Sequence, residues 1–330
     1  MAADRERRRA IPRLGRPKDR PEVASPPWGR RTAFASGGHI HPLVPEGVRE
    51  VRAAGKPGGG SLPNDEGYTL HRGSTPLLVS VPHAGTRIPD EVRDRFVDRA
   101  RDVEDTDWHL DRVYAFAREL GAGLIVPTYS RYLIDLNRPP DNAPMYPGAN
   151  NTELCPTRFF TGDPLYREGR APDDAEVARR RDRYWRPYHT ALAAELKRLR
   201  SDHGHAIVFD GHSIRSELPW LFEGRLPDLN LGTANGASCA ASLRGTLADI
   251  LASQNDFTQV VDGRFKGGYI TRHYGRPGER QHAVQLEMCF ACYMGGCAPF
   301  AYDDSRTQRL LPVLTRLVRA LIDWTPRDGE

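Results

Sequence analysis

The stretch Ala206-Ile207-Val208-Phe209-Asp210-Gly211-His212-Ser213 decides how this chain is read, and Leu77-Leu78-Val79-Ser80-Val81-Pro82-His83-Ala84-Gly85 repeats its design. Each is a short apolar run, of buried-strand length and composition, that ends in an imidazole close to a glycine. Open α/β sheets bind their ligands in the crevice outside the carboxyl ends of the strands. Two histidines at two such ends can converge on one point, and two imidazoles at one point suggest a divalent metal.

Working outward, further runs of strand character lie at 123–127, 132–136, 257–261 and 283–287, beside those at 77–81 and 206–210. Between them the spacing predicts a helix over 107–120, starting at Asp107 or Thr106. Asp173-Asp174-Ala175-Glu176 resembles a capping box that opens a long helix toward residue 202. Pro187 is expected to kink or divide that helix. An amphipathic helix over 305–324 closes the chain. Strands alternating with helices define one α/β domain, residues 67–330, built on a largely central sheet. Residues 139–172 are rich in Pro, Gly and Asn and too long for a plain connection, so they are expected to form a loop region over the site.

Composition excludes several functions. The 330 residues are 39% apolar and 27% charged, and no apolar run approaches a membrane span. There is no apolar leader of the secretory kind, and five cysteines, an odd number, point to a reducing cytoplasm. The formal charge of +4 is concentrated at the start. Residues 1–66 carry 13 basic and 8 acidic side chains, which leaves 34 basic and 35 acidic for the rest. The body therefore lacks the basic balance of a nucleic-acid binder. Residues 1–66, rich in Arg, Pro and Gly and without apolar periodicity, are expected to be a disordered extension. Cys289, Cys292 and Cys297 follow a C-x2-C-x4-C pattern without an evident fourth ligand and read as small buried thiols.

The chemistry-bearing residues cluster around the two histidines. A divalent metal also wants an anionic ligand, and Asp105-Thr106-Asp107-Trp108-His109 supplies candidates. Asp107 is the preferred ligand and Asp105 the cap, with Asp105 and Asp210 as the alternatives. Two histidines and one carboxylate, with a position open for water, make a catalytic zinc set. Asp210 precedes His212 by two residues, so it shares its face of the strand and can orient an imidazole. Glu287 ends the apolar run Ala283-Val284-Gln285-Leu286-Glu287, where an acid is costly unless paired or used. Beside metal-bound water it would serve as general base. Arg131 enters the run 132–136, and Asn137-Arg138 leave it. Together with Arg215 and Arg272 these cations suit a small dianionic substrate.

These segments, taken jointly and in order, resemble the N-formylglutamate amidohydrolase family. The resemblance covers about residues 70–325. It rests on Ser80 through Arg87, Asp105-Thr106-Asp107-Trp108-His109, Ser130-Arg131 through Asp135-Leu136-Asn137-Arg138-Pro139, Tyr184-Trp185-Arg186-Pro187-Tyr188-His189, Asp210 through Ser216, Leu229 through Thr233, Phe265 through Gly275, and Gln285-Leu286-Glu287. It implies a mixed central sheet between helices, similar to the zinc carboxypeptidase fold. It also implies hydrolysis of N-formyl-L-glutamate to formate and L-glutamate, the last step of a histidine degradation route. One divalent ion, zinc by family, would be held by His83, Asp107 and His212. Glu287 resembles the carboxypeptidase catalytic glutamate, and Arg131 would stabilise the oxyanion. Asn137, Arg138, Arg215 and Arg272 form the pool for the two substrate carboxylates. The alternative is a deacylase or carboxypeptidase-like hydrolase of another N-acyl acidic amino acid.

Overall fold

Seven strands share one sheet in the order β1-β3-β2-β4-β7-β5-β6. They are β1 (Tyr68–His71), β2 (Leu77–Ser80), β3 (Gly123–Pro127), β4 (Ala206–Ile214), β5 (Leu229–Gly232), β6 (Gln259–Val261) and β7 (Gln281–Cys289). The computed structural model describes residues 67–145 and 150–327; the expectation for residues 1–66 falls outside them. β3, β2, β4 and β7 run parallel, while β1 and β5 pair antiparallel with β3 and β7. The sheet is thus mixed, as expected. Among the described residues no helix is long and apolar enough to cross a membrane.

The apolar runs show why β2, β4 and β7 are central. Both of their faces are buried, as the near-continuous apolar sequence of a doubly covered parallel strand requires. Val79, Phe209, Val284 and Leu286 face one core, packed under α2 (Leu110–Val113), α3 (Ala115–Glu119), α6 (Ala241–Ala252) and α8 (Asp304–Asp323). Leu78, Val208 and Ala283 face the other, with α5 (Arg186–His203) and α7 (Tyr269–Tyr274). A short α1 spans Asp90–Arg93.

The Asp173 side chain accepts from Glu176 N at 2.8 Å, so the expected cap opens α4 (Asp174–Arg180). A π-helical turn, Arg181–Trp185, then leads straight into α5. The helix is thus divided just before Pro187, as expected, into α4 and α5. The proline sits at the start of α5, where its missing N–H is absorbed by the widened turn before it.

Other expectations change. Residues 132–136 are turn and irregular chain rather than strand, because Arg131 and Asp135 are spent on each other across one turn (2.6 Å) instead of alternating across a pleat. The helix predicted from Asp107 begins only at Leu110, preceded by His109 in the left-handed region (φ 62°). β1 and β5 are four-residue strands too short to announce themselves by periodicity.

Candidate active site

Chain order places the crevice. From β2 the chain moves to β3 on one side and then to β4 on the other, so β2 and β4 flank a switch point of the sheet. On the face that carries Leu78, Val208 and Ala283, the alternation turns polar toward the carboxyl ends. Ser80, Asp210 and Gln285 stand side by side in register, and His212 stands beside Glu287. The opposite pleat at Gly211 lies against Tyr114, whose ring carbon would be 2.7 Å from an added Cβ. Glycine there lets β4 pass the ring without displacing His212.

His83 follows β2 and meets His212 with ring centroids 4.8 Å apart. Asp107 reaches them from a loop whose backbone N–H donates to His83 O at 3.0 Å. Its Oδ2 lies 3.1 Å from His212 Nδ1 and 3.6 Å from His83 Nδ1. The far ring nitrogens are held by carboxylates: His83 Nε2 by Asp135 (2.7 Å) and His212 Nε2 by Asp210 (2.9 Å). In its neutral form each imidazole thus donates Nε2–H outward and turns Nδ1 to the centre. Arg131 supports this tautomer, donating from Nη1 to His83 Nδ1 at 3.2 Å and from Nη2 to Asp135 at 2.6 Å.

The electrostatics favour a cation at the centre. Burial pushes the Asp107 carboxyl up, but hydrogen bonds from His212 and His83 outweigh it and hold it below the usual carboxylate range. Burial also opposes ionisation of Asp135, and the charges of His83 and Arg131 overcome it. His212 is raised well above an ordinary imidazole. Burial works against its charge, and Asp210 and Asp107 prevail. His83, Asp107 and His212 are all buried and offer one ligand atom each within 4.8 Å of one another. Two imidazole nitrogens and a carboxylate, each braced by a further carboxylate or backbone link, fit a divalent ion, which would replace the protons those nitrogens otherwise carry or share. The two alternatives to Asp107 are otherwise engaged. Asp105 Oδ2 accepts from Tyr132 OH (2.9 Å) and Phe160 N (3.0 Å), and Asp210 braces the outer side of His212.

Glu287 lines the same cavity, 7% exposed. Among the described residues no cation lies within ion-pair distance of its carboxylate; Gln285 Nε2 approaches at 3.5 Å. Burial pushes its carboxyl up to about 8, with Asp107 and Asp210 adding and His212 and Arg131 opposing. Such a group holds or releases a proton near neutral pH.

The arginine pool is only partly assembled here. Arg138 lines the cavity. Its guanidinium donates to Thr152 O (2.9 Å), Thr152 Oγ1 (2.7 Å) and Asn137 O (3.1 Å), tying the covering loop down. Asn137 also lines it, but its amide is committed: Nδ2 to Asp210 (3.1 Å) and beside His212 Nε2 (2.9 Å), Oδ1 to Ile270 N (2.8 Å). It braces the centre. Gly268 packs against that amide, and a Cβ there would lie 2.3 Å from Nδ2. Arg215 and Arg272 do not line the cavity. Arg215 follows the end of β4, three residues past His212, and turns toward the Phe300 ring (5.8 Å). Arg272 lies on the exposed side of α7 and donates to Gly267 O at 2.9 Å. Both sit one pleat or one turn away from the face that looks inward.

Sequence reasoning missed Asp135 and Arg264. Asp135 carried a signal, a carboxylate inside an apolar run four residues after Arg131. Arg264 lines the cavity from just before the Gly267-Gly268 turn. The expected loop region does supply Thr152 and Phe160 to the cavity wall. Cys289 and Cys292 are buried with their thiols toward the Pro227 and Asp228 carbonyls (3.3 and 3.6 Å), whereas Cys297, expected to be buried, is exposed.

The segment 136–138 is itself gripped by helix α5 and the turn before it. Trp185 Nε1 donates to Arg138 O (3.0 Å), and His189 Nε2 donates to Leu136 O (2.8 Å). The His189 ring stacks on Trp185 at 3.8 Å and faces the Tyr274 hydroxyl at 3.0 Å. Burial pushes His189 down to about 3, with the Leu136 hydrogen bond opposing. A histidine that titrates near 6.5 when unfolded and near 3 when folded binds more protons unfolded between those values. Its contribution is complete above pH 6.5 and is lost as pH falls toward 3, at about 1.4 kcal/mol per pH unit inside the window. Unfolding stability measured from pH 7 to 4 should therefore fall more steeply for the wild type than for His189→Gln. Equal slopes would show that His189 is not buried neutral.

The fold and site define a class: a mixed-sheet α/β protein with a buried two-histidine, one-carboxylate centre of the kind catalytic metal sites use. The family model described as N-formylglutamate amidohydrolase matches residues 75–294. Over 260 residues the chain is 49% identical to the N-formylglutamate deformylase of Pseudomonas putida, covering 79% of this chain and 97% of that protein. The chain belongs to the N-formylglutamate amidohydrolase family. The N-formylglutamate deformylase of Pseudomonas aeruginosa is 48% identical over the same shares. The crystal structure of N-formylglutamate amidohydrolase from Ralstonia eutropha JMP134 is similar with a TM-score of 0.66 at 27% identity, over 77% of this chain and 97% of that one.

Proposed function

We propose that the protein hydrolyses N-formyl-L-glutamate to formate and L-glutamate, using one divalent ion, zinc by the chemistry of its donors, held by His83, Asp107 and His212. The observation that carries this is the convergence of two imidazole nitrogens and a carboxylate within 4.8 Å, beside a Glu287 carboxylate with no cation within ion-pair distance among the described residues. A bound ion of this kind acidifies water and polarises a carbonyl oxygen. Glu287 accepts the proton of the water that attacks the formyl carbon and returns it to the amide nitrogen as the C–N bond breaks. Arg131, fixed by Asp135 and the Phe160 ring at 4.6 Å, directs its charge to the oxygen that becomes anionic. Arg138 takes a substrate carboxylate.

Metal analysis of the purified protein, with formate release from N-formyl-, N-acetyl- and N-succinyl-glutamate side by side, tests this reading. The formyl substrate should give the highest kcat/KM. A metal-loaded preparation that releases no formate, or that prefers a larger acyl group, would overturn it.

We also propose that residues 67–330 are the whole catalytic unit, since the family match begins at residue 75. Removing residues 1–66 is expected to leave kcat and melting temperature nearly unchanged. A large loss of either would contradict this.

A further inference from the structure

The structure assigns Arg264 a role that builds on this proposed function: it selects the side-chain carboxylate of the substrate. A dianion needs two cations, and three arginines line the cavity: Arg131, Arg138 and Arg264. Arg131, paired with Asp135 at 2.6 Å and standing against His83, is at the reacting end, where the oxyanion forms. Arg138 begins one residue from Asn137, whose amide lies 2.9 Å from His212. That chain position, beside the residue that braces His212, suits the carboxylate nearest the scissile amide, the α-carboxylate. Arg264 approaches from a different segment. Its Nη2 donates to Leu221 O at 3.1 Å, and its guanidinium lies 5.3 Å from the centre of the Phe265 ring. Leu221 adjoins Trp220, whose carbonyl accepts from Asn150 of the covering loop at 2.6 Å. Arg264 thus belongs to the loop-side wall of the cavity, on a segment separate from Arg138. In N-formylglutamate the γ-carboxylate lies two carbons farther from the amide than the α-carboxylate does. A guanidinium set at that wall, half-buried against an aromatic ring, suits a second carboxylate there, because planar forks recognise carboxylates in a fixed geometry.

The test compares N-formyl-L-glutamate with N-formyl-L-glutamine, which keeps the shape and removes one charge. Wild type, Arg264→Gln, Arg264→Lys and Arg138→Gln are measured as metal-loaded protein, with melting temperature on the same samples. The readout is the ratio of kcat/KM for the two substrates. Wild type should favour the glutamate, and Arg264→Gln should shrink that preference by about 10- to 100-fold, the scale of one charge-assisted hydrogen bond. Arg264→Lys should restore part of it, and Arg138→Gln should lower both substrates together. An unchanged ratio in folded Arg264→Gln, an equal loss on both substrates, or a wild type without preference would overturn the assignment. Formate release by the wild type stands apart: its absence would remove the proposed function itself.

Discussion

Glu287→Gln is expected to lower kcat by on the order of 10²–10⁴, with metal content retained and KM little changed. Glutamine keeps the size and the hydrogen bonding of the side chain but cannot accept a proton. The competing view of a buried acid is a structural ion pair, and it makes the opposite forecast. Breaking a buried pair by removing one partner costs on the order of 3–5 kcal/mol, because it strands a charge. Glu287 has no such partner within ion-pair distance among the described residues; burial is the largest influence on it, with the charges of His212 and Arg131 set against those of Asp107 and Asp210. Neutralising it removes a burial penalty, so the melting temperature should hold or rise while the rate collapses. Measuring kcat, KM, metal content and melting temperature on one preparation separates the two views. Near-wild-type kcat in a folded, metal-loaded variant would refute the role of Glu287 as base.

The second large effect concerns the ligands. His83→Ala and His212→Ala should each lose stoichiometric metal and drop activity below detection, and Asp107→Asn should do the same with less disturbance of shape. The supporting carboxylates should act more weakly. Asp135→Asn keeps the hydrogen-bonding outline around His83 but removes the charge that fixes its tautomer, an effect on the order of 10–100-fold in metal affinity. His212→Ala also strips Asp107 and Asp210 of their shared partner, so its folding must be checked by circular dichroism. Asp135→Asn, which leaves all three ligands in place, keeps the idea testable if that variant fails to fold. Full metal occupancy in both histidine variants would sink the ligand assignment.

Much of this site was legible because its parts stand at the ends of apolar strands. His83, His212 and Glu287 interrupt runs otherwise committed to burial, and such an interruption is costly unless the group is used. Asp107 was harder to fix, since Asp105 and Asp210 offered the same chemistry. Only the hydrogen bonds of Asp105 to Tyr132 and Phe160, and of Asp210 to the outer nitrogen of His212, separate them. The arginines were the least legible. A long cation near a glycine-rich turn can face either way, and the choice depends on the path of the loop, which propensity does not encode. Arg272 and Arg264 flank the same Gly267-Gly268 turn, yet only Arg264 lines the cavity. The run 132–136 failed for a related reason: its apolar residues pack around a buried Arg131–Asp135 pair rather than across a pleat.

The register of β4 against β7 has a further consequence, for how the sequence of such a protein can change over time. His212 opposes Glu287, and Asp210 opposes Gln285, because the two strands count residues in step over nine positions. A residue gained or lost inside either strand reverses the face of every side chain beyond it. His212 would then point at the ring of Tyr114, and its metal-facing nitrogen would be gone. A substitution inside these strands alters one side chain, whereas a change of length alters the facing of all that follow. The covering region between Pro139 and Pro172 has no strand register to keep, and it is pinned instead by single buried side chains such as Leu154, Phe159 and Leu165. The chemistry is held by strands in which a change of length, unlike a change of residue, moves every later side chain.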